Sequence, residues 1–281
     1  MRKHICLALL LLATASAAAR AQPVQIKPGL QRLNANLEMP AGKTAADGVV
    51  LMVHGTLSWY GQETIAALQK NLKARGVGSL AITLSLGIDD RQGPRRCDVV
   101  HDYALAGAKR EVGLWLEWLA GQGARTVDLL GFSRGAAQVA TFAPELARAR
   151  RVVLVAPAFA TASEQAESYQ RAFGHPLAPE IAEARKSPLQ QRTVDFLNCK
   201  QATVLNATFL DGYAEMPASL AAKTGHQTLV VVAGKDEVVP DLAAKLPSDV
   251  KPVVIDGATH FFLDLYGEEA ADAIAAFLKK E

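Results

Sequence analysis

Short runs of apolar residues alternate with longer amphipathic stretches along most of the chain. Six runs are rich in β-branched residues and are bounded by glycine, charged or turn residues: 48–55 (GVVLMVHG), 79–87 (SLAITLSLG), 126–133 (TVDLLGFS), 151–158 (RVVLVAPA), 228–236 (TLVVVAGKD) and 252–260 (PVVIDGATH). Such continuous apolar runs are typical of strands that are buried on both faces of a parallel sheet. The pattern predicts six strands of this kind.

The stretches between these runs have the spacing of amphipathic helices. Apolar residues recur every three or four positions, with glycine or charge at the ends, in 61–76, 104–123, 135–150 and 267–280. Strands that alternate with helices form α/β folds, in which helices cover both faces of the sheet. We therefore expect an α/β fold with a mostly parallel, twisted sheet and helices on both of its faces.

Two segments depart from this alternation. Residues 24–40 partly alternate between apolar and polar positions, which predicts an antiparallel lead-in to the sheet. Residues 159–226 are polar and rich in helical patterns, and 68 residues are too many for a simple connection. We interpret this segment as a helical insertion that forms a lid over the carboxyl ends of the strands.

The first 21 residues have the pattern of a secretory signal peptide. Arg2 and Lys3 precede an uncharged, largely apolar stretch over 5–19, and Ala19-Arg20-Ala21 offers a cleavage site after Ala21. A membrane anchor is the alternative, but fifteen apolar residues are short for a span. The expected mature protein is residues 22–281, a single domain without a membrane span, located in the periplasm or secreted.

Removal of this segment changes the charge balance. The whole chain has 30 basic and 28 acidic residues, and residues 1–21 contain three of the basic ones and no acidic one. The remaining 27 basic and 28 acidic residues give a net charge of −1, so no basic excess points to a nucleic acid partner.

Cys97 and Cys199 are the two cysteines that remain after residue 21. In an oxidising compartment a lone pair of cysteines is a candidate disulfide, here closing a loop of about 100 residues. Two separate buried thiols are the alternative.

One serine lies between two glycines in LLGFSRGAAQ, residues 129–138. Ser133 follows a predicted strand and opens a predicted helix, and Gly131 and Gly135 leave room for a sharp turn. An ordinary glycine-rich loop is the alternative, but the strand–turn–helix context is the one that a nucleophilic serine requires. The N-terminus of the helix also brings free amides and a positive dipole end near this serine.

A nucleophilic serine needs a base, and the base needs an acid to orient it. Asp236 and His260 each follow one of the last two predicted strands, in the order serine, acid, histidine along the chain. Glu237 and Asp256 are weaker candidates for the acid. The remaining histidines after residue 21 lie in a connection or in the insertion, where surface roles are expected: His101, His175 and His226.

These motifs together resemble the α/β-hydrolase superfamily. The resemblance rests on HG at 54–55, GFSRG at 131–135, GKDEVVP at 234–240 and ATHFF at 258–262, and it covers roughly 45–280 apart from the insertion. It implies an α/β-hydrolase fold with Ser133, Asp236 and His260 as a catalytic triad. It also implies an oxyanion hole made by the backbone amides of Thr56 and Arg134.

The neighbours of these motifs suggest further roles. Many relatives have glycine where this chain has Leu57, and His54 is expected to orient its loop through hydrogen bonds. Trp59 and Tyr60 follow at the rim of the expected pocket, where they contact substrate or pack under the insertion. The Arg134 side chain is expected to pair with an acid of a neighbouring loop or to bind a substrate carboxylate. The charged loop 89–103 is expected to be solvated, with Cys97 attaching it.

The sequence contains no HExxH, paired CxxC, acidic calcium loop or GxGxxG after a strand, so no metal or other cofactor is expected. We expect a serine hydrolase that acts on a small-molecule acyl substrate, a carboxylic ester by the base rate of the family, through an acyl-enzyme. An amidase or peptidase, an acyltransferase, or a non-catalytic binding protein on this scaffold are the alternatives. The complete set of triad residues argues against the last of these.

Overall fold

The computed structural model describes residues 21–280, so the predicted signal peptide over 1–21 and its cleavage lie outside the described residues, apart from Ala21. The described elements follow one another as β1 (Gln22–Ile26), β2 (Leu33–Glu38), β3 (Val49–Val53), α1 (Glu63–Ala74), β4 (Gly78–Thr83), α2 (Leu105–Gly121), β5 (Val127–Phe132), α3 (Arg134–Phe142), β6 (Ala149–Val155), α4 (Ala162–Phe173), α5 (Leu177–Lys186), β7 (Gln191–Phe196), β8 (Cys199–Leu205), α6 (Asn206–Gly212), β9 (Gln227–Ala233), α7 (Leu242–Lys245), β10 (Val253–Ile255) and α8 (Leu265–Leu278).

Eight of these strands form one sheet in the order β1-β2-β4-β3-β5-β6-β9-β10. All neighbours from β4 to β10 are parallel. The first strand pairs antiparallel with β2, and β2 pairs antiparallel with β4. The structure therefore confirms the α/β fold, the mostly parallel sheet and the antiparallel lead-in.

The central strands are buried along their whole length because a hydrophobic core covers each face of the sheet. Every residue of β3, β4 and β5 is buried. Successive side chains of a strand point to opposite faces, so Leu51 packs into one core and Met52 into the other. The first core contains Trp115 of α2 and Val139 of α3, and the second contains Ile65 of α1 together with apolar residues of α8.

The helix that follows β5 is shorter than its apolar spacing predicts. The sequence pattern indicated a helix over 135–150, whereas α3 ends at Phe142 and a 3₁₀ turn follows over Ala143–Glu145. Pro144 explains the early end, because proline has no backbone N–H and its ring clashes with the preceding turn of an α-helix. The next strand, β6, already begins at Ala149.

The segment 159–226 lies between β6 and β9 and contains both helices and strands. It includes α4, α5 and α6, but also the antiparallel pair of β7 and β8. The insertion is therefore mixed rather than helical as expected. Leu197 and Asn198 connect the two strands, and Leu197 has a φ of 53°, a conformation that glycine usually supplies in such turns. Without glycine at this turn, the sequence lacked the usual signal for a hairpin.

The insertion has a hydrophobic cluster of its own. Tyr169, Phe196 and Phe209 are fully buried in it, and Leu57, from the loop after β3, packs into the same cluster. One residue of the loop at the carboxyl end of β3 is thus anchored in the insertion.

Candidate active site

Ser133 occupies the turn between the last residue of β5 and the first residue of α3. Its φ of 54° and ψ of −122° are unusual for a residue with a side chain. Its amide donates to the carbonyl of Val155 at 2.9 Å, and its carbonyl accepts from the amides of Ala136 and Ala158, each at 3.0 Å. These hydrogen bonds stabilise the turn in its strained conformation.

The two glycines of the motif are required by close backbone contacts. A Cβ atom on Gly131 would lie 2.4 Å from the Cα atom of Ala136, and one on Gly135 would lie 2.3 Å from the carbonyl oxygen of His54. Real Cβ atoms do not come so close to backbone atoms, so both positions need glycine for the turn to pack against its neighbours.

The structure brings Asp236 and His260 next to Ser133. Nε2 of His260 lies 2.9 Å from Oγ of Ser133, and Nδ1 lies 3.0 and 2.9 Å from the two carboxylate oxygens of Asp236. The side chains of His260 and Asp236 are only 3% and 2% exposed. Oδ1 of Asp236 also accepts from the amides of Val238 and Val239, at 2.9 and 2.7 Å.

This arrangement assigns the imidazole protons by hydrogen-bond logic. A carboxylate only accepts, so Nδ1 of His260 carries the proton that Asp236 accepts, and Nε2 is free to accept from the hydroxyl of Ser133. The serine can therefore be deprotonated by the imidazole as its oxygen attacks an electrophile.

The rival acids have other positions. Glu237 accepts a hydrogen bond from the backbone amide of His260 at 3.0 Å, and Asp256 is exposed in a turn after β10. Among the rival histidines, His175 is hydrogen-bonded through Nε2 to Oδ2 of Asp195 at 3.0 Å. The expected surface role is wrong for His101, which is fully buried.

Thr56 and Arg134 lie on one cavity of about 430 Å³ that also borders the insertion. No described backbone carbonyl accepts a hydrogen bond from the amide of either residue. The amide of Arg134 is the first of α3 and so has no acceptor within its helix. Leu57, which follows Thr56, has a φ of 52°. Leucine therefore occupies here a backbone conformation that glycine adopts without strain.

His54 orients its loop as expected. Its Nδ1 donates to the carbonyl of Gly55 at 2.8 Å, and its Nε2 accepts from the amide of Leu84 at 3.1 Å and from Nη2 of Arg91 at 3.1 Å. Burial and the charge of Arg91 lower the pKa of His54 to about 3, so the imidazole stays neutral at physiological pH.

Arg91 and Arg95 contact the same loop and were missed by sequence reasoning. Arg91 donates to the carbonyl of Ser58 at 2.6 Å, and the amide of Arg95 donates to the carbonyl of Leu57 at 2.7 Å. Both arginines are only 5% exposed, although most of the loop 89–103 is exposed as expected. The many charged residues of this loop suggested solvent exposure. Nothing in the local sequence showed that two of its arginines would be buried against backbone carbonyls.

A disulfide joins Cys97 to Cys199, whose Cα atoms lie 5.3 Å apart. Nearby, the amide of His101 donates to the carbonyl of Thr203 at 2.8 Å, and the amide of Leu205 donates to the carbonyl of His101 at 2.9 Å. The loop 89–103 is therefore linked to β8 of the insertion by one covalent bond and by backbone hydrogen bonds.

Trp59 and Tyr60 do not line the cavity beside Thr56 and Arg134. Their rings pack on each other with centroids 5.0 Å apart, and Tyr60 packs against the core between the sheet and α1. The amide of Tyr60 donates to Oγ1 of Thr83 at 3.2 Å. These contacts are those of residues that pack against neighbouring elements, the second of the two expected placements.

The side chain of Arg134 does not pair with an acid as expected. No carboxylate among the described residues pairs with its guanidinium, whose Nη2 donates to the backbone carbonyl of Asp211 at 3.2 Å. Arg134 borders both the 430 Å³ cavity and a smaller one beside it.

Within residues 21–280, no group of three or more His, Cys, Asp or Glu side chains is arranged to hold a metal ion. No helix of the same residues is long and apolar enough to cross a membrane.

Several solved structures are similar to this chain. Est1E from Butyrivibrio proteoclasticus is 17% identical, with a TM-score of 0.65 over 91% of this chain and 97% of that one. An esterase from Pyrococcus furiosus is 15% identical, with a TM-score of 0.59 over 93% and 91%. The esterase domain of a Rhodothermus marinus protein is 14% identical, with a TM-score of 0.58 over 92% and 97%. At these identities the similarity shows the fold alone.

A search of curated protein sequences returned no match. The profile of the alpha/beta hydrolase family matches residues 50–277, which is most of the chain and contains the elements that carry Ser133, Asp236 and His260. The chain therefore belongs to the alpha/beta hydrolase family.

Proposed function

We propose that this protein is a serine hydrolase that cleaves carboxylic esters with Ser133, His260 and Asp236 as its catalytic triad. The observation that carries the proposal is the pair of contacts made by His260, 2.9 Å from Oγ of Ser133 on one side and 2.9 Å from the carboxylate of Asp236 on the other. Nucleophile, base and orienting acid in this geometry are the requirements of covalent acyl transfer.

The acylation step follows from these contacts. Oγ of Ser133 attacks the ester carbonyl while Nε2 of His260 takes the hydroxyl proton. Asp236 stabilises the imidazolium that forms and keeps the ring in the required tautomer. Collapse of the tetrahedral intermediate releases the alcohol, which receives its proton from His260 and leaves an acyl group on Ser133.

Deacylation repeats these proton transfers with water as the nucleophile. His260 takes a proton from the water as its oxygen attacks the acyl carbonyl, and returns a proton to Oγ of Ser133 as the acid departs. In both steps the negative charge on the carbonyl oxygen would be bound by the amides of Thr56 and Arg134. Neither amide has a backbone acceptor within residues 21–280, which supports this role.

The choice of an ester substrate rests on the family and on structural neighbours. Two of the similar structures carry the name esterase, one from Pyrococcus furiosus and one domain from Rhodothermus marinus. A further structure of Est1E, 18% identical with a TM-score of 0.67, has ferulic acid bound. These names and ligands belong to those proteins, and we extend to this chain only the ester as the class of bond.

We further propose that the protein is exported and that the insertion over 159–226 serves as a lid. The disulfide between Cys97 and Cys199 supports an oxidising compartment, and residues 1–21 supply the proposed signal peptide. Three aromatic residues of the insertion, Tyr169, Phe173 and Tyr213, line the 430 Å³ cavity, so the insertion borders the same cavity as Thr56 and Arg134.

The test is hydrolysis of p-nitrophenyl esters from acetate to palmitate by the mature protein and by Ser133→Ala. Ser248→Ala is the matched control, because Ser248 is exposed and its backbone carbonyl accepts its one described hydrogen bond from Lys251, not from the triad. We expect loss of roughly 10³-fold or more in kcat for Ser133→Ala and none for the control. Equal activity of both variants, or no turnover of any ester by the folded wild type, would contradict the proposal.

A further inference from the structure

The guanidinium of Arg134 has unused hydrogen-bonding capacity beside the nucleophile. An arginine side chain offers five N–H donors, and only Nη2 has a described acceptor, the carbonyl of Asp211. The side chain is partly exposed and borders the 430 Å³ cavity. Arg134 directly follows Ser133 in the chain and lines the same cavity as Thr56.

The carboxylates of the cavity wall are engaged elsewhere. Glu164 pairs with Lys245 at 2.9 Å, and Glu167 lies 3.9 Å from Arg171. Glu237 accepts from the amide of His260. None of these acids is within 4 Å of the Arg134 guanidinium.

Asp211 lines the smaller cavity, and its carboxylate is not hydrogen-bonded to Arg134. Oδ2 of Asp211 accepts from the amide of Leu105 at 2.8 Å, whereas its backbone carbonyl accepts from Arg134. The carboxylate interacts with Arg134 only electrostatically and at a longer distance. The charge of Arg134 is thus only partly balanced by the protein.

Two further guanidiniums add positive charge to the same region. Arg91, Arg95 and Arg134 all interact electrostatically with Tyr103, which lines the smaller cavity. Burial raises the pKa of Tyr103 to about 12, so this phenol is neutral at physiological pH. Among the described residues, Glu111 and Asp211 are the carboxylates that interact electrostatically with Arg91 and Arg134, respectively. The larger cavity is lined by three acidic and three basic side chains, and its acids have the other partners described above.

Tyr213 offers a second donor in the 430 Å³ cavity. Its hydroxyl oxygen accepts from the amide of Leu197 at 2.8 Å, and its own O–H has no described acceptor. A guanidinium and a phenol that face one cavity are a donor set suited to a carboxylate.

We propose that the substrate ester carries a carboxylate and that Arg134 binds it, with Tyr213 as a second donor. This inference rests on the proposed function, because it places the carboxylate on the molecule that Ser133 attacks. The same residue would thus bind the substrate through its side chain and stabilise the oxyanion through its amide. Arg134 is then a specificity-determining residue, and the substrate is a monoester of a dicarboxylic acid or an ester of an alcohol that bears a carboxylate.

The experiment compares two pairs of esters that differ only in the carboxylate. p-Nitrophenyl hemiglutarate against p-nitrophenyl valerate tests a carboxylate on the acyl group, and 4-acetoxybenzoate against its methyl ester tests one on the alcohol. The quantity measured is the ratio of kcat/KM for the anionic and the neutral member. It is compared in the wild type, Arg134→Met and Arg134→Lys.

We expect the wild type to favour the anionic member of at least one pair. Arg134→Met should lower that ratio roughly 10- to 100-fold, as loss of a charge-assisted hydrogen bond does, and Arg134→Lys should lower it less. Arg171→Met is the matched control, because Arg171 lines the same cavity but is largely exposed and lies beside Glu167. A ratio that Arg134→Met leaves unchanged, in both pairs, would overturn the inference while leaving ester hydrolysis intact.

Binding separates this inference from the proposed function. Calorimetry with Ser133→Ala measures the affinity for the monomethyl esters of succinate, glutarate and adipate against their dimethyl esters. Tighter binding of a monomethyl ester that is lost in Ser133→Ala/Arg134→Met supports the carboxylate site, even if the wild type hydrolyses no ester. Equal binding of both forms, or no binding of any, would overturn it.

Discussion

The backbone amide of Arg95 donates a 2.7 Å hydrogen bond to the carbonyl of Leu57, the residue after the proposed oxyanion donor Thr56. Two positions further along, Cys97 is joined by a disulfide to Cys199 in the insertion. The loop that carries Thr56 is therefore linked to the insertion through one short segment, in addition to the packing of Leu57 in the cluster of the insertion.

Loss of this disulfide is expected to affect both stability and turnover. The cysteines are 102 positions apart, and a disulfide that closes so long a loop restricts the unfolded chain strongly. Cys97→Ala/Cys199→Ala should lower the free energy of unfolding by about 2–4 kcal/mol in urea titrations and should also lower kcat. A reducing agent should reproduce the effect in the wild type and leave the double variant unchanged. Identical urea midpoints for both proteins would show that the link does not stabilise the fold.

Arg91 is expected to position the loop that contains Thr56. Its guanidinium donates to the carbonyls of Leu84 and Ser58 and to Nε2 of His54. Arg91→Met would leave these acceptors without their hydrogen bonds, so the loop would be less rigidly positioned. A small displacement of an oxyanion donor costs about 10²-fold in rate. We expect kcat to fall by about that factor, with a smaller change in KM.

The neighbouring Arg96 provides the control for Arg91. Its side chain is exposed and pairs with Asp98 at the surface, and exposed pairs contribute little. Arg96→Met should keep the kinetic constants of the wild type. If Arg91→Met also keeps them while both variants are folded, the positioning role is wrong.

Acid is expected to destabilise the fold through two buried histidines. Burial and neighbouring arginines lower the pKa of His54 to about 3 and that of His101 to about 4, from an ordinary value of 6.5. Below pH 6.5 the unfolded chain binds protons that the folded imidazoles do not, so stability is present above this pH and is lost as the pH falls toward 4.

The size of this effect follows from the number of protons. Each histidine contributes a slope of about 1.4 kcal/mol per pH unit in that window. His101→Gln should remove its share of the slope between pH 6.5 and 4.5, measured by urea unfolding at each pH. An unfolding free energy that does not change over this range in the wild type would contradict the assignment of both buried imidazoles as neutral.

Asp236 is expected to be the acid that orients His260. Asp236→Asn keeps the shape of the side chain but removes the charge that stabilises the imidazolium and selects its tautomer. We expect kcat to fall by about 10³- to 10⁴-fold, with the fold retained. Asp256→Asn is the control, since Asp256 is exposed in a turn only four positions before His260. Comparable losses in both variants would leave the identity of the acid open and contradict the contacts described for Asp236.

Local pattern was sufficient for the sheet, and for the residues that follow its strands. The runs that became β3, β5 and β9 are continuous and apolar because both faces of these strands are buried. Parallel strands bring their carboxyl ends to one edge, so residues that follow different strands could be expected to meet there. The closeness of Ser133 and His260, 127 positions apart, follows from that topology.

The features that the local sequence pattern did not predict depend on contacts between residues that are distant in the sequence. The burial of Arg91 depends on the carbonyl of Ser58 and the imidazole of His54 in the loop after β3, and that of His101 on packing against Phe196 of β7. The hairpin of β7 and β8 turns at Leu197 without glycine. For Arg91 and His101 the residue type alone predicts exposure, and for Leu197 it does not predict a turn. The observed structure depends on partners that are distant in the sequence.

The most direct test of the central claim is covalent labelling of the mature protein with a fluorophosphonate, followed by mass spectrometry of its peptides. We predict one phosphonate adduct, on Ser133, in the wild type and in Ser248→Ala, and none in Ser133→Ala. His260→Gln should label far more slowly, because the serine then lacks its base. An unlabelled wild type, or an adduct on a residue other than Ser133, would contradict the assignment of Ser133 as the nucleophile.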